Sequence, residues 1–569
     1  MGADRGFANP AVNLFLDSIT PSFLGLSAAV PLARCVVAGT RLPSARMVLG
    51  AVNDVHEHHP RSIINPHPTS TPLSSVPVHV ADFLFQNYIN RVAPQYPIYY
   101  IPDLEAMHNC VFHPEIEAPE SPSSVTVTPY QVFTLSLIMA ISMSTAARSK
   151  QARANSIASG LFENAMERIS SVLSNDLQGI QALTLLAQYT FLNPGVSNFW
   201  LLSGFISQAC IDMGLHHELP KGCRMSALDR DMRRRVFWCA WEIEIAVCGA
   251  LLMPITLLRR KITAEFPSQI EDSAITEAGI DHNGRVTKFT SHCIWRYREI
   301  ECDIVPVLFH GEPIPARFAS LDDWMKHQEE AILRWKAEIH EATARNTDQL
   351  AQSQWDEMQL YSDIATDYIL VTLFRPCPRI REPTAENLLK AFSSAVGVAD
   401  GSWKQANLGF GSSKYVFHSC YHSFSAAVAF LQALQRIKPE IAAAYTWSHV
   451  EANMSTFSRF FSTVAERWPA ASRCLEEYEK LLALVRKDFT DFLVQDEAQR
   501  ASEQSSPLDQ LVTSVIGDPA YDLEEAITFG NFLNATTPGL QYNMDYYSHM
   551  PVDWNEEFNF GVEEMPPYG

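Results

Sequence analysis

The stretch at residues 199–267 constrains the fold of this chain most strongly. Asn198 follows the turn Asn193-Pro194-Gly195 and is a candidate N-cap residue for a helix. Gly214 can adopt the left-handed conformation that ends helices, so we expect the helix to end there, with Leu215 folding back onto its last turn. Between these ends, apolar side chains recur at helical spacing and lie on one face that we expect to be buried, namely Leu202, Phe205, Ile206, Ala209 and Met213.

A second helix is predicted after Ser226, which is a candidate N-cap residue with Asp229 three positions later. Two Asp–Arg pairs follow at a spacing of four residues, so each pair can lie side by side as an exposed ion pair that contributes about 0.2–0.5 kcal/mol. These pairs are Asp229 with Arg233 and Asp231 with Arg235. The buried face is predicted to contain Val236, Ala240, Ile243 and Val247. Together the two segments predict a helical hairpin.

The three consecutive arginines Arg233, Arg234 and Arg235 are typical of a phosphate-binding patch at first sight. Consecutive residues point about 100° apart around a helix, however, and cannot form one patch. We therefore expect a structural role for them, with ion pairs along the helix and Arg234 stacked near Trp238.

Helical periodicity extends over most of the chain and predicts an all-α fold. Pro376 disfavours helical geometry at Arg375, so we expect a helix to end there. After Pro267 a loop is predicted through Gly284. Residues 131–147 and 156–173 are predicted to be amphipathic helices. Further helical patterns occupy residues 80–92, 177–189, 288–341, 355–373 and 447–492, the last with a buried aromatic face of Phe457, Phe460, Phe461, Val464 and Trp468.

Length and composition limit the classes of protein that fit. A chain of 569 residues exceeds one ordinary hydrophobic core, so we expect two subdomains or one domain with tails. The net charge of −21 argues against a surface broadly adapted to polyanions. The eleven cysteines are scattered singly, which favours free thiols in a reducing compartment. The uncharged run at residues 18–33 is too short to cross a bilayer, and we expect no membrane partner.

The two ends of the chain differ in composition from its middle, which we predict to be a helical regulatory domain at residues 79–495. Residues 1–78 form an irregular segment containing Pro, Ser and His, which we expect to be disordered. Its histidine tract at residues 56–59 and 67 could bind a metal ion. Pro60 stands where a His-Glu-x-x-His motif needs its second histidine, so we interpret the tract as a solvated linker.

Residues 496–569 are predicted to be a linker, starting near Arg500, and an acidic tail. Beyond Arg500 there is no Lys or Arg, and acidic residues alternate with aromatic ones, as at Asp553, Trp554, Phe558 and Phe560. Charge repulsion keeps such a segment hydrated while its aromatic side chains stay available to a partner groove. This composition is expected of an activation domain, and an inert solvating tail is the alternative.

Enzyme motifs are missing from the sequence. It contains no Gly-rich phosphate loop, no Gly-x-Ser-x-Gly, no His-Glu-x-x-His and no dinucleotide fingerprint. Ser419 is adjacent to Cys420 and close to His422, but no motif places a base and an acid beside it. We therefore expect no enzyme, and no catalytic, cofactor-binding or metal-binding residues. A cavity among the helices that binds a small effector is a hypothesis without residues attached.

Several segments in order resemble the middle homology region of fungal zinc-cluster transcription factors: residues 212–216, 233–238 and 266–267, and the end of a helix at Arg375-Pro376. The resemblance covers about residues 80–492. The family usually has an Asp-Arg pair late in the second helix and then Gly-Arg-Pro, whereas this chain has Glu244-Ile245 and Leu252-Met253-Pro254. The signature positions, with an expected structural role, are Gly214, Leu215, His216, Arg233, Arg234, Arg235, Phe237, Trp238, Pro267, Arg375 and Pro376.

The resemblance implies a nuclear transcription regulator, an activator of a metabolic or secondary-metabolite biosynthetic gene set, able to form a homodimer. The acidic tail would recruit the transcription machinery or a coactivator. The family's DNA-binding unit holds two zinc ions with six closely spaced cysteines, and this sequence lacks such a cluster. Zinc is expected only if a missing N-terminal segment carries the cluster. DNA binding is thus either direct, through such a segment, or mediated by a partner, and a helical scaffold or co-regulator that does not bind DNA is the alternative.

Overall fold

The computed structural model describes residues 70–117, 126–146, 151–193, 196–220, 222–407, 416–467 and 471–504. The N-terminal segment up to residue 69 and the acidic tail, with Asp553, Trp554, Phe558 and Phe560, lie outside the described residues. Across the described ranges there are seventeen α-helices and no strand, only two isolated antiparallel bridges. The predicted all-α class is confirmed.

Nine helices lead up to and include the predicted hairpin. They are α1 Val78–Arg91, α2 Ile101–Phe112, α3 Pro114–Glu117, α4 Pro129–Ala146, α5 Gln151–Met166, α6 Ile169–Val172, α7 Leu177–Leu192, α8 Phe199–Asp212 and α9 Ala227–Leu251. After a long loop, eight more follow. They are α10 Phe289–Phe309, α11 Leu321–Arg345, α12 Gln352–Phe374, α13 Ala385–Asn407, α14 Val416–Arg436, α15 Lys438–Ala444, α16 Trp447–Arg467 and α17 Ser472–Gln504.

The helix ends of the hairpin are set by local sequence. The Asn198 side chain accepts a hydrogen bond from the Leu201 amide at 3.1 Å, and the Ser226 hydroxyl accepts one from the Asp229 amide at 2.9 Å. Both predicted N-caps are therefore confirmed. Gly214 has a φ of 63° just beyond the end of α8, the left-handed conformation expected there. Arg375 is the C-cap residue of α12, as its position before a proline predicts.

Three predictions about helix faces and ends are wrong. Helix α4 is buried on every side from Phe133 to Thr145 and is not amphipathic, because neighbouring helices cover it all round. Phe205, assigned to the buried face of α8, is 40% exposed because the face centred on Leu202 and Ile206 packs inward instead. The last helix continues to Gln504, so the first residues of the predicted linker are helical.

The buried apolar side chains form two clusters. The larger one joins α1, α4, α5, α7 and α9 to α13, α14, α16 and α17, and it includes Trp238, Trp241 and Trp295. The smaller one joins α10, α11 and α12 around Trp324 and Trp335. Within the larger cluster, Phe457, Phe460 and Phe461 are fully buried, as predicted, whereas Trp468 lies outside the described residues. The core is thus extensive enough to hold charged groups away from water.

Two findings concern the cysteines and the membrane. The ten cysteines within the described ranges are free thiols, in agreement with the prediction from their scattered positions. Among the helices described, none combines the length and the apolar character that a bilayer crossing needs.

Candidate functional site

The predicted signature residues of the hairpin meet where α8, α9 and the segment after α9 pack together. Leu215 is buried, and the His216 carbonyl accepts hydrogen bonds from the Thr263 and Ala264 amides. Trp238 is buried on α9, and its Nε1 donates to the Glu265 carbonyl at 2.9 Å. The rings of Phe237 and Phe266 contact Trp238, and Pro267 is buried beside them. These residues hold the hairpin to the chain that follows it.

The three arginines of α9 point to three different environments. Arg233 reaches the Gly214 carbonyl at 3.4 Å, and Arg234 binds Glu218 and Glu265. The prediction that Arg234 stacks near Trp238 is wrong, because the two glutamates hold its guanidinium. The guanidinium over the Trp238 ring belongs to Arg259, 5.4 Å from the ring centroid.

The two predicted exposed ion pairs of α9 also differ from expectation. Asp229 accepts a hydrogen bond from the Ser226 hydroxyl at 2.7 Å, and no ion pair joins it to Arg233 within the described chain. Asp231 and Arg235 do pair at 2.6 Å, but both side chains are buried, at 2% and 0% exposure. A buried pair of this kind affects stability far more than an exposed one, because removing one partner leaves a charge away from water.

Arg235 is the centre of a buried charge network that joins four parts of the chain. Its guanidinium contacts Asp231 on its own helix and Asp272 in the following loop, the latter at 2.7 Å. Lys288, just before α10, also contacts Asp272 at 2.7 Å. The second oxygens of the two aspartates accept hydrogen bonds from the Ser268 and Ile101 amides. Burial opposes ionisation of Arg235, but the two aspartates outweigh it and raise its pKa.

The two departures from the family pattern lie in well-packed positions. Glu244 is buried, accepting hydrogen bonds from the Ser207 hydroxyl and the Thr256 amide, both at 2.7 Å, so it ties α8 to the segment after α9. Leu252 has a φ of 51°, in the left-handed region that favours the glycine usual in this neighbourhood of the family. Its side chain is buried in the smaller core cluster, which compensates for the backbone strain.

Arg375 and Pro376 lie apart from the hairpin, at the end of α12. The Arg375 side chain is buried, and its guanidinium lies 5.2 Å from the centroid of the Phe309 ring. Burial lowers the pKa of Arg375. The two residues join the end of α12 to the end of α10 and do not contribute to the hairpin.

A cleft of about 100 Å³ lies between the end of α1 and helices α10, α12, α13 and α14. Arg298 of α10 lines it and is 3% exposed. Its Nη1 donates to Oε2 of Glu301, one helical turn later, at 2.6 Å. The remaining lining is mixed in polarity, with Gln95, Thr290, Tyr297, Tyr361, Ala365 and His422 among its residues.

Helix α9 packs closely against α10, the helix that carries Arg298. A Cβ atom on Gly249 would lie 2.3 Å from Glu301 Oε1, so glycine at this position allows α9 to pack against the Arg298–Glu301 pair. Two turns earlier on α9, Glu242 accepts a hydrogen bond from Gln95 Nε2 at 2.9 Å. The hairpin and the cleft therefore share a polar connection through Gln95.

Burial controls the ionisation of the groups around the cleft. It raises the pKa of Glu242 to about 7, although Arg298 and hydrogen bonds act in the opposite direction. It also raises the pKa of Glu301 and lowers that of His422 to about 3. His422 is consequently neutral at physiological pH, and its ring stacks on Tyr368 with centroids 3.7 Å apart. Glu242 can change charge near neutral pH.

Two polar atoms of the cleft residues are buried without a hydrogen-bond partner within the described residues: Arg298 Nε and Thr290 Oγ1. An unsatisfied buried donor costs about 1–3 kcal/mol. A carbonyl or carboxylate oxygen of a small molecule is the group that would accept from Arg298, and Thr290 can donate or accept. The residues around the cleft therefore include hydrogen-bonding groups that the described protein atoms leave unsatisfied.

None of the cleft residues was identified from the sequence as a site. The available signal was the presence of charged residues in otherwise apolar stretches, such as Glu242 between Trp241 and Ile243. That signal shows only that a charge is buried. The partners of Glu242 and Arg298 come from helices distant in sequence, which no local spacing reveals.

Comparison with known proteins finds a similarity over part of the chain. Residues 85–336 match the model of the fungal specific transcription factor domain. This range includes the hairpin, the Arg235 network and Arg298, whereas the α12, α13 and α14 walls of the cleft lie beyond it.

Three relatives are similar over shorter stretches. Pyrimidine pathway regulatory protein 1 of Saccharomyces cerevisiae is 28% identical over 182 residues, covering 30% of this chain and 20% of the relative. Positive regulator of purine utilization of Emericella nidulans is 25% identical over 213 residues, covering 28% and 20%. Protein STB5 of Saccharomyces cerevisiae is 36% identical over 125 residues, covering 21% and 17%.

The aligned part of the chain spans a fifth or less of the length of each of these relatives. The similarity is therefore evidence mainly for a shared helical domain. Residues 85–336, somewhat less than half of the chain, are thus similar to the fungal specific transcription factor domain.

Proposed function

We propose that this protein is a nuclear transcription activator whose helical domain binds a small polar effector in the cleft beside Arg298 and thereby controls its acidic tail. The observation that carries the proposal is the match of residues 85–336 to the fungal specific transcription factor domain. The names of two relatives describe regulators of a pyrimidine pathway and of purine utilization, which supports control of a metabolic gene set here. Catalysis is not part of the proposal.

A second candidate function is that of a co-regulator recruited to DNA by a partner. The net charge of −21 favours it. A strongly acidic chain is repelled by the phosphate backbone, so DNA contact then has to come from another protein or from a separate segment. Both candidates require the tail to recruit the transcription machinery or a coactivator, and both are compatible with a homodimer.

The cleft limits the chemistry of the effector. Its volume of about 100 Å³ is smaller than the cavity of about 150 Å³ that accepts benzene in an engineered protein, so a small metabolite fits, with larger ones extending into solvent. Arg298 favours a carbonyl or carboxylate oxygen. The tyrosine rings of Tyr297 and Tyr361 favour a flat molecule. Small carboxylates and nucleobases combine these features.

The tail is expected to activate transcription when residues 501–569 are fused to an unrelated DNA-binding domain. A triple variant should lower reporter output at least about threefold, because it removes aromatic side chains that dock into a coactivator groove. Its substitutions are Trp554→Ala, Phe558→Ala and Phe560→Ala. Asp553→Asn is the matched control, since it removes one charge and no aromatic surface. If the wild-type fusion fails to activate the reporter, the scaffold interpretation replaces activation.

Effector binding is testable by calorimetry of the full chain against a panel of small carboxylates and nucleobases. We expect a ligand whose affinity falls at least about tenfold in Thr290→Val, which removes one polar partner, and in Ala365→Leu, which fills the cleft. Thr343→Val is the control, because Thr343 is a buried helical threonine that does not line the cleft. Equal affinity in all three variants would place the ligand elsewhere.

A further inference from the structure

We propose that Asp82, His108 and His113 form a binding site for a divalent transition-metal ion of the class that includes zinc. The site lies at the contact of α1 with α2, far along the chain from the residues that line the cleft. It is independent of the proposed function and differs from the six-cysteine clusters that the family uses on DNA.

The three side chains come together because of how α2 ends. His108 and His113 are five residues apart, which would place them on different faces of a continuous helix. Helix α2 stops at Phe112, and His113, its C-cap residue, has a φ of −134° and a ψ of 55°. This change of direction returns the His113 ring to the side of His108. Asp82 projects from α1, which packs against α2.

The distances suit metal coordination. His113 Nε2 lies 2.8 Å from Asp82 Oδ1, and His108 Nε2 lies 3.4 Å from the same oxygen. One potential ligand atom from each of the three residues lies within 4.8 Å of the others. Two ligands bound to one zinc ion at about 2.0–2.1 Å stand about 3.3 Å apart at tetrahedral angles. Only small side-chain rotations are therefore needed to bind an ion.

Asp82 lies within ion-pair distance of both imidazoles, but it forms a hydrogen bond with only one of them. His113 and Asp82 satisfy each other, but His108 Nε2 has no hydrogen-bond partner among the described residues, although its side chain is only 6% exposed. Phe85 stacks on the His108 ring with centroids 4.4 Å apart, which fixes the orientation of the imidazole. A metal ion would take up the lone pair of this buried nitrogen, whose desolvation otherwise costs about 1–3 kcal/mol.

The donor set indicates the class of metal. Two imidazoles and one carboxylate suit zinc and neighbouring divalent transition metals, whereas calcium and magnesium prefer oxygen ligands alone. Asp82 is 43% exposed, so a solvent molecule can complete the coordination. Glu115 Oε1 lies 3.4 Å from His113 Nδ1 and can orient that ring through its second nitrogen.

The test measures zinc bound to the full chain after chelator treatment and dialysis. We expect one equivalent of zinc by calorimetry, and visible absorption bands of a tetrahedral site when cobalt replaces it. Asp82→Asn and His113→Gln should each weaken zinc binding at least about tenfold. Both residues are partly exposed, so these variants are expected to fold, which the unchanged melting temperature of the metal-free protein would verify.

Two controls separate this site from other histidines. His340→Gln removes a surface histidine that pairs with Asp363 at 2.9 Å without a second imidazole, and it should leave zinc binding unchanged. Substituting His56, His58 and His59 by alanine should also retain the equivalent of zinc. If zinc does not bind the wild-type chain, or if binding follows the tract at residues 56–59 and is unaffected by Asp82→Asn and His113→Gln, the proposed site is wrong.

Discussion

Replacement of Arg235 by methionine is expected to lower the free energy of unfolding by about 3–5 kcal/mol, the usual result of removing one partner from a buried charge network. Methionine keeps much of the volume of the arginine side chain but removes its positive charge. Lys288 is then the remaining buried cation of the network with Asp231 and Asp272. The same substitution at Arg233 should cost less than about 1 kcal/mol, because its guanidinium makes one long contact at the surface.

The neighbouring arginines make this comparison well controlled, because the substitution, the helix and the loss of formal charge are the same. Urea denaturation, followed by tryptophan fluorescence, measures the free energy of unfolding of each variant and of the wild-type chain. Closely similar losses at Arg233 and Arg235 would show that the network does not hold the loop after α9 against α2 and α10.

Replacement of Glu242 by glutamine is expected to stabilise the protein above neutral pH and to leave it nearly unchanged at acidic pH. Burial raises the pKa of Glu242 from 4.5 to about 7, so the folded state favours the protonated carboxyl. The stability that the protonated Glu242 carboxyl contributes is therefore fully present below about pH 4.5, and it is lost as the pH rises through about 7. At pH 8 the gain in Glu242→Gln is on the order of 3 kcal/mol.

Thermal or chemical unfolding between pH 5 and pH 8 measures this dependence. The wild-type chain should lose stability relative to Glu242→Gln over this window, while a control, Glu299→Gln, should run parallel to the wild type because Glu299 is only partly buried. A constant difference between Glu242→Gln and wild type at every pH would show that the carboxyl does not change charge in the folded protein.

The features that depend on neighbours in sequence could be predicted. The N-caps Asn198 and Ser226, the left-handed Gly214 and the end of α12 before Pro376 each follow from one residue and its chain neighbours. The partners of charged side chains could not, because they depend on packing. Arg234 lies one helical turn before Trp238, yet Arg259 from the segment after α9 lies over that ring, since Glu218 and Glu265 hold Arg234.

The cleft and the proposed metal site were beyond sequence reasoning for the same reason. Gln95 and His422 line one cleft although more than three hundred residues separate them. His108 and His113 have a spacing that excludes a shared helical face, and only the end of α2 at Phe112 brings them together. A pattern search can find a motif on one element but not a site assembled by the contact of several.

The most direct test of effector-controlled activation is the reporter output of the full chain tethered to DNA through an unrelated DNA-binding domain. We expect the wild-type chain to activate the reporter, and Ala365→Leu in the cleft to change that output at least about threefold at equal protein level, while Thr343→Val leaves it unchanged. Failure of the tethered wild-type chain to activate, or identical output from wild type and a folded Ala365→Leu chain, would rule out effector-controlled activation.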